Sequence, residues 1–346
     1  MMEMTSRERV MAALRLEETD RVPHCELFVD VAMAEKLLNQ QMGQAATGGS
    51  VRSNPYTVDQ AKAVAAKLGH DNIGFILRAQ DYAKMAVGKD GRTFPADGMI
   101  KTEADLDMID LPDPTSDEFY KDAEEFVKNK GDYACHLSTR IGLTQVMLSL
   151  GMEYFALMLY DNRKLVEQML DIYFDWTAEM AQRISQLGFD IFWTTDDFAF
   201  KTGLFFSPAD FRDLLFERYQ RVLDRINIPW VLHSDGNINE ALPILVELGV
   251  VGTHPNEKGA MDMVKVKQEY GDRMCLLGNV DLVLLGRGTP DEVDAEVKEL
   301  IRTVGPGGGY IITSGNSLAS FLKPENVLAM AAAVRKYGAY PLNLKD

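Results

Sequence analysis

The sequence predicts an α/β chain folded as a (β/α)₈ TIM barrel. Eight short apolar runs of strand character recur along the 346 residues, and longer amphipathic stretches separate most of them. The competing architecture, a doubly wound open sheet, usually brings a Gly-rich first turn, and none follows the first run.

The elements read in order as follows. Thr5 with Glu8 three residues later is a capping-box pattern ahead of apolar residues at helical spacing, so a short helix opens the chain. Arg21-Val22-Pro23 ends it, and His24 to Val29, compact and apolar without helical period, reads as the first buried strand. The other strand candidates are Asn72 to Leu77, Tyr133 to Ser138, Phe189 to Thr194, Trp230 to His233, Val250 to His254, Met274 to Gly278 and Tyr310 to Thr313. Helices are expected over Pro208 to Ile226, Ile238 to Leu248, Ala260 to Tyr270 and Thr289 to Val304, each punctuated by Pro, Asp or Gly. Residues 40–59 and 90–117, rich in Gly, Ser, Asp and Pro, read as loop excursions within one domain spanning 1–346. Gly305 to Gly309 precedes a strand instead of opening a helix, so it reads as a turn and not as a phosphate cradle.

Charge narrows the function. With 36 Lys and Arg against 52 Asp and Glu, the formal net charge is −16, which disfavours nucleic acid and anionic membrane surfaces as partners. Three widely spaced cysteines, Cys25, Cys135 and Cys275, suit a reducing compartment, and no stretch of about 18 apolar residues is present, so a cytoplasmic setting is expected. The 18 methionines read as core filler.

In a barrel the chemistry sits where strands end, so the polar residues after each apolar run are the candidates. Asp196 and Asp197 follow one run, and two adjacent carboxylates repel unless a cation or donor lies near; both are catalytic candidates, with His233. His233 and Asp235, two apart, face one way in an extended segment and could share a metal or a substrate group. The plainer reading has His233 bonding a neighbouring strand end and Asp235 capping a helix. His254 and Glu257, Asn279 and Asp281, and Asn316 are the substrate-binding candidates at the next three strand ends.

Taken together, Thr5 to Val10 with Arg21-Val22-Pro23, the Asp196-Asp197 pair, His233-Ser234-Asp235-Gly236-Asn237, Gly278-Asn279-Val280-Asp281 and Gly307 to Asn316 resemble the uroporphyrinogen decarboxylase superfamily from end to end. The resemblance implies a (β/α)₈ barrel and one of two chemistries, tetrapyrrole decarboxylation or corrinoid-dependent methyl transfer. The decarboxylases carry an Arg-rich segment soon after the first strand. Here that stretch reads Glu26-Leu27-Phe28-Val29-Asp30, where many substrate carboxylates would meet repulsion. The coenzyme M methyltransferases hold zinc with a His-x-Cys pair and a later Cys, whereas this chain has His233, Asp235 and Asn316 at those places. A His and carboxylate site is harder than a thiolate one and suits an oxygen or nitrogen ligand. The implied activity is therefore transfer of a methyl group from a small methylated donor, a phenyl methyl ether or methylamine, to the Co(I) corrinoid of a partner protein, with zinc at His233 and Asp235. Leu204-Phe205-Phe206 is the expected apolar landing surface for that partner, and a homodimer stays open. A tetrapyrrole decarboxylase and a non-catalytic corrinoid- or metal-binding module are the alternatives.

Overall fold

A computed structural model of the chain describes residues 3–42, 54–88 and 93–342. Seven strands form one parallel sheet: β1 (Asn72–Ile76), β2 (Ala134–Thr139), β3 (Ile191–Thr195), β4 (Trp230–His233), β5 (Gly252–His254), β6 (Cys275–Leu277) and β7 (Tyr310–Ile311). Each neighbours the next in chain order. Their apolar runs alternate little because both faces of the sheet are covered, as parallel sheets require.

Register sorts the side chains into two cores. Asn72 lies opposite Ala134, His136 opposite Ile191, and Val231 opposite Gly252. Phe75, Leu137, Phe192, Leu232 and Leu276 join the large core beneath the helices. Their alternates Ala134, Ile191, Trp193, Val231, Cys275, Leu277 and Ile311 form a second, inner core. Residues from β2 and β7 meet there, so the sheet is curved with that face inward. Helix Ser6–Leu14, opened by the predicted Thr5/Glu8 capping box, contributes Val10, Ala13 and Leu14 to the same cluster and stops its lower end. Buried Arg9 fastens this helix, bonding Asp71 and Asp20 at 2.6 Å each, and Arg21 reaches Asp71 at 2.8 Å.

The first predicted strand is corrected. Residues 24–29 make only isolated bridges, His24 with Ile312 and Val29 with Leu318. On the other side the Asn72 side chain replaces a backbone ladder: Glu26 N donates to Asn72 Oδ1 at 3.0 Å, and Asn72 Nδ2 donates to Glu26 O at 2.7 Å. The segment thus touches both edges of the sheet, between β7 and β1, without pairing along its length.

The outer helices fall where expected, with shorter bounds. The stretch from Pro208 is broken into Pro208–Phe211, a π turn Arg212–Phe216 and Glu217–Leu223, and the others are Leu242–Glu247, Met263–Tyr270 and Pro290–Val304. Most of the 40–59 excursion lies outside the described residues. The second is more ordered than expected: Thr93–Gly98 at its start pairs in a hairpin with the preceding Ala83–Val87, and a 3₁₀ helix Glu103–Met108 follows. Gly305 to Gly309 is a turn, and Gly308 at φ +74° lies where a Cβ would meet the Glu17 carbonyl at 2.5 Å. Among the described residues no single helix is long and apolar enough to cross a membrane.

Candidate active site

The inner series continues past the strand ends onto the C-terminal rim. From Ile191 and Trp193 it runs to Asp197, from Val231 to His233 and Asp235, from Gly252 to His254. Asp196 belongs to the alternate series. It is fully buried and accepts hydrogen bonds from Thr144 N at 2.9 Å, Ile141 N at 3.1 Å and Tyr219 Oη at 3.4 Å. Burial pushes its carboxyl up to about 6 against those donors. The two adjacent carboxylates therefore avoid repulsion by facing opposite sides of the sheet: Asp196 fastens the start of helix Leu143–Leu150, and Asp197 points to the rim.

Asp197, His233 and Asp235 converge. His233 Nε2 lies 3.7 Å from Asp197 Oδ1 and 3.8 Å from Asp235 Oδ1. Asp197 Oδ1 also accepts from Asp235 N at 2.9 Å. Asn316 Nδ2 donates to Asp235 Oδ2 at 2.7 Å, while Asp235 Oδ1 is buried without a hydrogen-bond partner. Burial, reinforced by Asp197 and Glu257, pushes the Asp235 carboxyl up to about 6. Behind the cluster, His233 Nδ1 and His254 Nδ1 lie 2.7 Å apart, so one ring nitrogen donates to the other. Burial and His233 hold His254 far below the ordinary imidazole range, which keeps it neutral.

Residues 99–337 match the profile described as uroporphyrinogen decarboxylase (URO-D), well over half of the chain. The chain belongs to the uroporphyrinogen decarboxylase family. A uroporphyrinogen decarboxylase of Alkalilimnicola ehrlichii is 23% identical over 269 residues, covering 72% of each chain. That of Methylococcus capsulatus is 34% identical over 76 residues, so the chain spans about a fifth of its length. Among solved structures, a methyltransferase from Methanosarcina mazei superposes with a TM-score of 0.76 at 22% identity, over 97% of this chain and 99% of that one. A B12-independent methionine synthase from Shewanella sp. W3-18-1 follows the fold at a TM-score of 0.54 and 13% identity, over 81% of this chain and 86% of that one.

For this uroporphyrinogen decarboxylase family member the donor set fits a metal ion: one imidazole and two carboxylates offer atoms all within 4.8 Å of one another. Asp235 Oδ1 has no other partner. With His233 Nδ1 donating to His254, Nε2 would be free as a ligand, the outer-shell orientation that metal-bound histidines commonly have. A tetrahedral metal held by these three residues would keep a fourth position open.

The other predicted residues make the following contacts. Glu257 accepts from Gly236 N at 2.9 Å and pairs with Lys201 at 3.0 Å on the rim. Buried Asn279 donates to Asn256 O at 2.6 Å. Asp281 caps helix Leu282–Arg287 through Val283 N at 2.7 Å. Leu204, Phe205 and Phe206 pack partly buried on the core, and the exposed ring of the short rim hairpin Ala199–Phe200 and Gly203–Leu204 is Phe200. Cys25, Cys135 and Cys275 are buried and unpaired.

Sequence reasoning missed three features. Glu26 is buried against Ser314, which donates through N at 2.7 Å and Oγ at 2.8 Å, and burial pushes its carboxyl up to about 8. It carries its proton at neutral pH, so the repulsion expected from this stretch does not come from Glu26. His24 and His70 stand edge to face beside it at 4.5 Å, held neutral by burial. Arg78 and Arg140, two and one residues past β1 and β2, complete the rim; their parity along the strands was the available clue.

Proposed function

We propose that the chain is a methyltransferase that takes a methyl group from a small methylated donor, a phenyl methyl ether or methylamine, and passes it to the Co(I) corrinoid of a separate partner protein. The observation that carries this reading is the Asp197, His233 and Asp235 cluster, with a buried carboxylate oxygen left without a partner. In the reaction the carbon–heteroatom bond breaks with its electron pair left on the heteroatom, the methyl carbon bonds to the reduced cobalt, and a proton reaches the heteroatom. Zinc held by the three residues would supply Lewis acidity toward that oxygen or nitrogen. The chain's own residues set the geometry. Asn316 fixes one oxygen of Asp235, the Asp235 amide orients Asp197, and His254 sets the tautomer and tilt of His233. The order of the seven strands, with residues 23–26 lying between the outer two, supports a (β/α)₈ barrel whose first strand is reduced to bridges. Exposed Phe200 on the rim hairpin supports docking of a partner over this end, and the unpaired cysteines support a cytoplasmic setting.

The test is metal analysis of the purified protein together with a donor screen against Co(I) cobalamin, free and protein-bound. A bound divalent metal and a spectral change to methylated cobalt with one donor class are expected. No methylation with any ether or amine, in the presence of active partner, overturns the reading. Decarboxylation of a tetrapyrrole is the second reading, favoured by the description its curated relatives share. Carbon dioxide release from uroporphyrinogen without methyl transfer would establish it instead.

A further inference from the structure

The rim is electrically divided. On the β3 to β5 side stand Asp197, His233, Asp235 and Glu257, the last paired with Lys201; on the β1 to β2 side stand two arginines and Asp81. Ile76 lies opposite Ser138, so two residues on, Arg78 stands beside Arg140, both in the inward series that contains Gly74 and His136. A chain with net charge −16 thus sets two arginines past neighbouring strand ends, near enough for the charge of Arg140 to act on Arg78.

Their partners do not balance. Arg140 bonds Asp81 at 2.7 Å, with the two side chains 20% and 19% exposed. Arg78 is half-buried and makes no hydrogen bond or ion pair among the described residues; Asp81 attracts it but is committed to Arg140. Burial and the Arg140 charge lower the Arg78 guanidinium to about 10, which leaves it cationic at neutral pH. An unpaired, partly desolvated cation beside a second cation is unfavourable unless an anion joins them.

We propose, building on the methyl-transfer reading, that Arg78 and Arg140 bind a carboxylate of the methyl donor, whose methylated heteroatom is presented to Asp197, His233 and Asp235. The guanidinium fork matches a carboxylate with two parallel hydrogen bonds, which a neutral donor cannot supply. Neighbouring strands lie about 4.8 Å apart, so β2 and β4 stand about 10 Å apart along the rim, a span that suits a donor about one ring long.

The test measures binding, which needs neither cobalt nor turnover, so its outcome stands apart from that of the methyl-transfer assay. Calorimetric titration compares 3-methoxybenzoate with 3-methoxybenzamide, and methoxyacetate with methoxyacetamide, on wild type and Arg78→Met. Arg78 has no bonded partner to lose, and an unchanged thermal midpoint checks folding. At least one acid should bind about tenfold or more tighter than its amide, and Arg78→Met should erase that preference while leaving amide binding unchanged. Equal binding of acid and amide, absence of acid binding, or a preference that survives Arg78→Met overturns the proposal.

Discussion

Along β3, β4 and β6 the inner face changes chemistry over a few residues. Ile191 and Trp193 give way to Asp197, Val231 to His233 and Asp235, Leu277 to Asn279. The lower end is apolar and stoppered by helix Ser6–Leu14; the upper end, on the same strands and the same parity, carries carboxylates, imidazoles and guanidiniums. The difference teaches that one scaffold divides its labour by height: burial at the lower end supplies stability, and the rim is free to hold polar groups that contribute little to it.

The largest effect should come from the lower end. Ile191→Ala removes buried methyl groups between strands and the stoppering helix, and should lower unfolding stability by about 2–5 kcal/mol in a urea titration. Molecules still folded should retain their turnover. Loss of activity at unchanged stability would erase the division. At the rim the pattern reverses: His233→Ala should reduce methyl transfer by about 100-fold or more, roughly 2.7 kcal/mol at the transition state, and lower metal content. Its thermal midpoint should stay within a few degrees, and a large drop would make His233 a structural residue.

Glu26 lies where the two ends meet and sharpens the comparison through pH. Its folded-state value of about 8 stands above the ordinary 4.5, so the folded chain keeps a proton that the unfolded chain gives up. Its contribution therefore favours the fold below about 4.5 and is lost as pH rises through about 8. Glu26→Gln, which can still accept from Ser314, should flatten that decline when unfolding free energy is measured from pH 5 to 8.5. An unchanged slope would mean that Glu26 ionises in the folded protein as freely as in water.

How much of this was legible depended on whether a feature is local. Trp230 to His233 is a strand with the predicted bounds, because a buried parallel strand must be apolar throughout and ends where polarity begins. The His24 to Val29 strand was not recoverable as it stands, since the Asn72 side chain replaces its ladder and lies 46 residues from Glu26. The exposed hairpin at Ala83–Val87 and Thr93–Gly98 packs little apolar surface and leaves only a weak pattern. At the rim, acidic and histidine residues drew notice by type. Arg78 and Arg140 did not, although the parity of their strands was there to be read; strand register adds that they share a face with His233.

The finest contrast lies between two consecutive residues. Asp196 and Asp197 are the same side chain on the same loop, separated by the alternation of the strand that precedes them. Asp196 takes two backbone N–H groups, so Asp196→Asn would turn an amide toward one of those donors and leave it unsatisfied. Its stability should fall by about 1–3 kcal/mol. Asp197, with its side chain 45% exposed, faces His233 Nε2. Asp197→Asn should leave stability within about 0.5 kcal/mol and instead lower turnover and metal affinity. Paired denaturation and activity measurements on the two variants read the contrast directly. Should Asp196→Asn keep full stability and lose turnover while Asp197→Asn does the reverse, the roles belong to the opposite carboxylates, and the assignment of faces at this strand end is wrong.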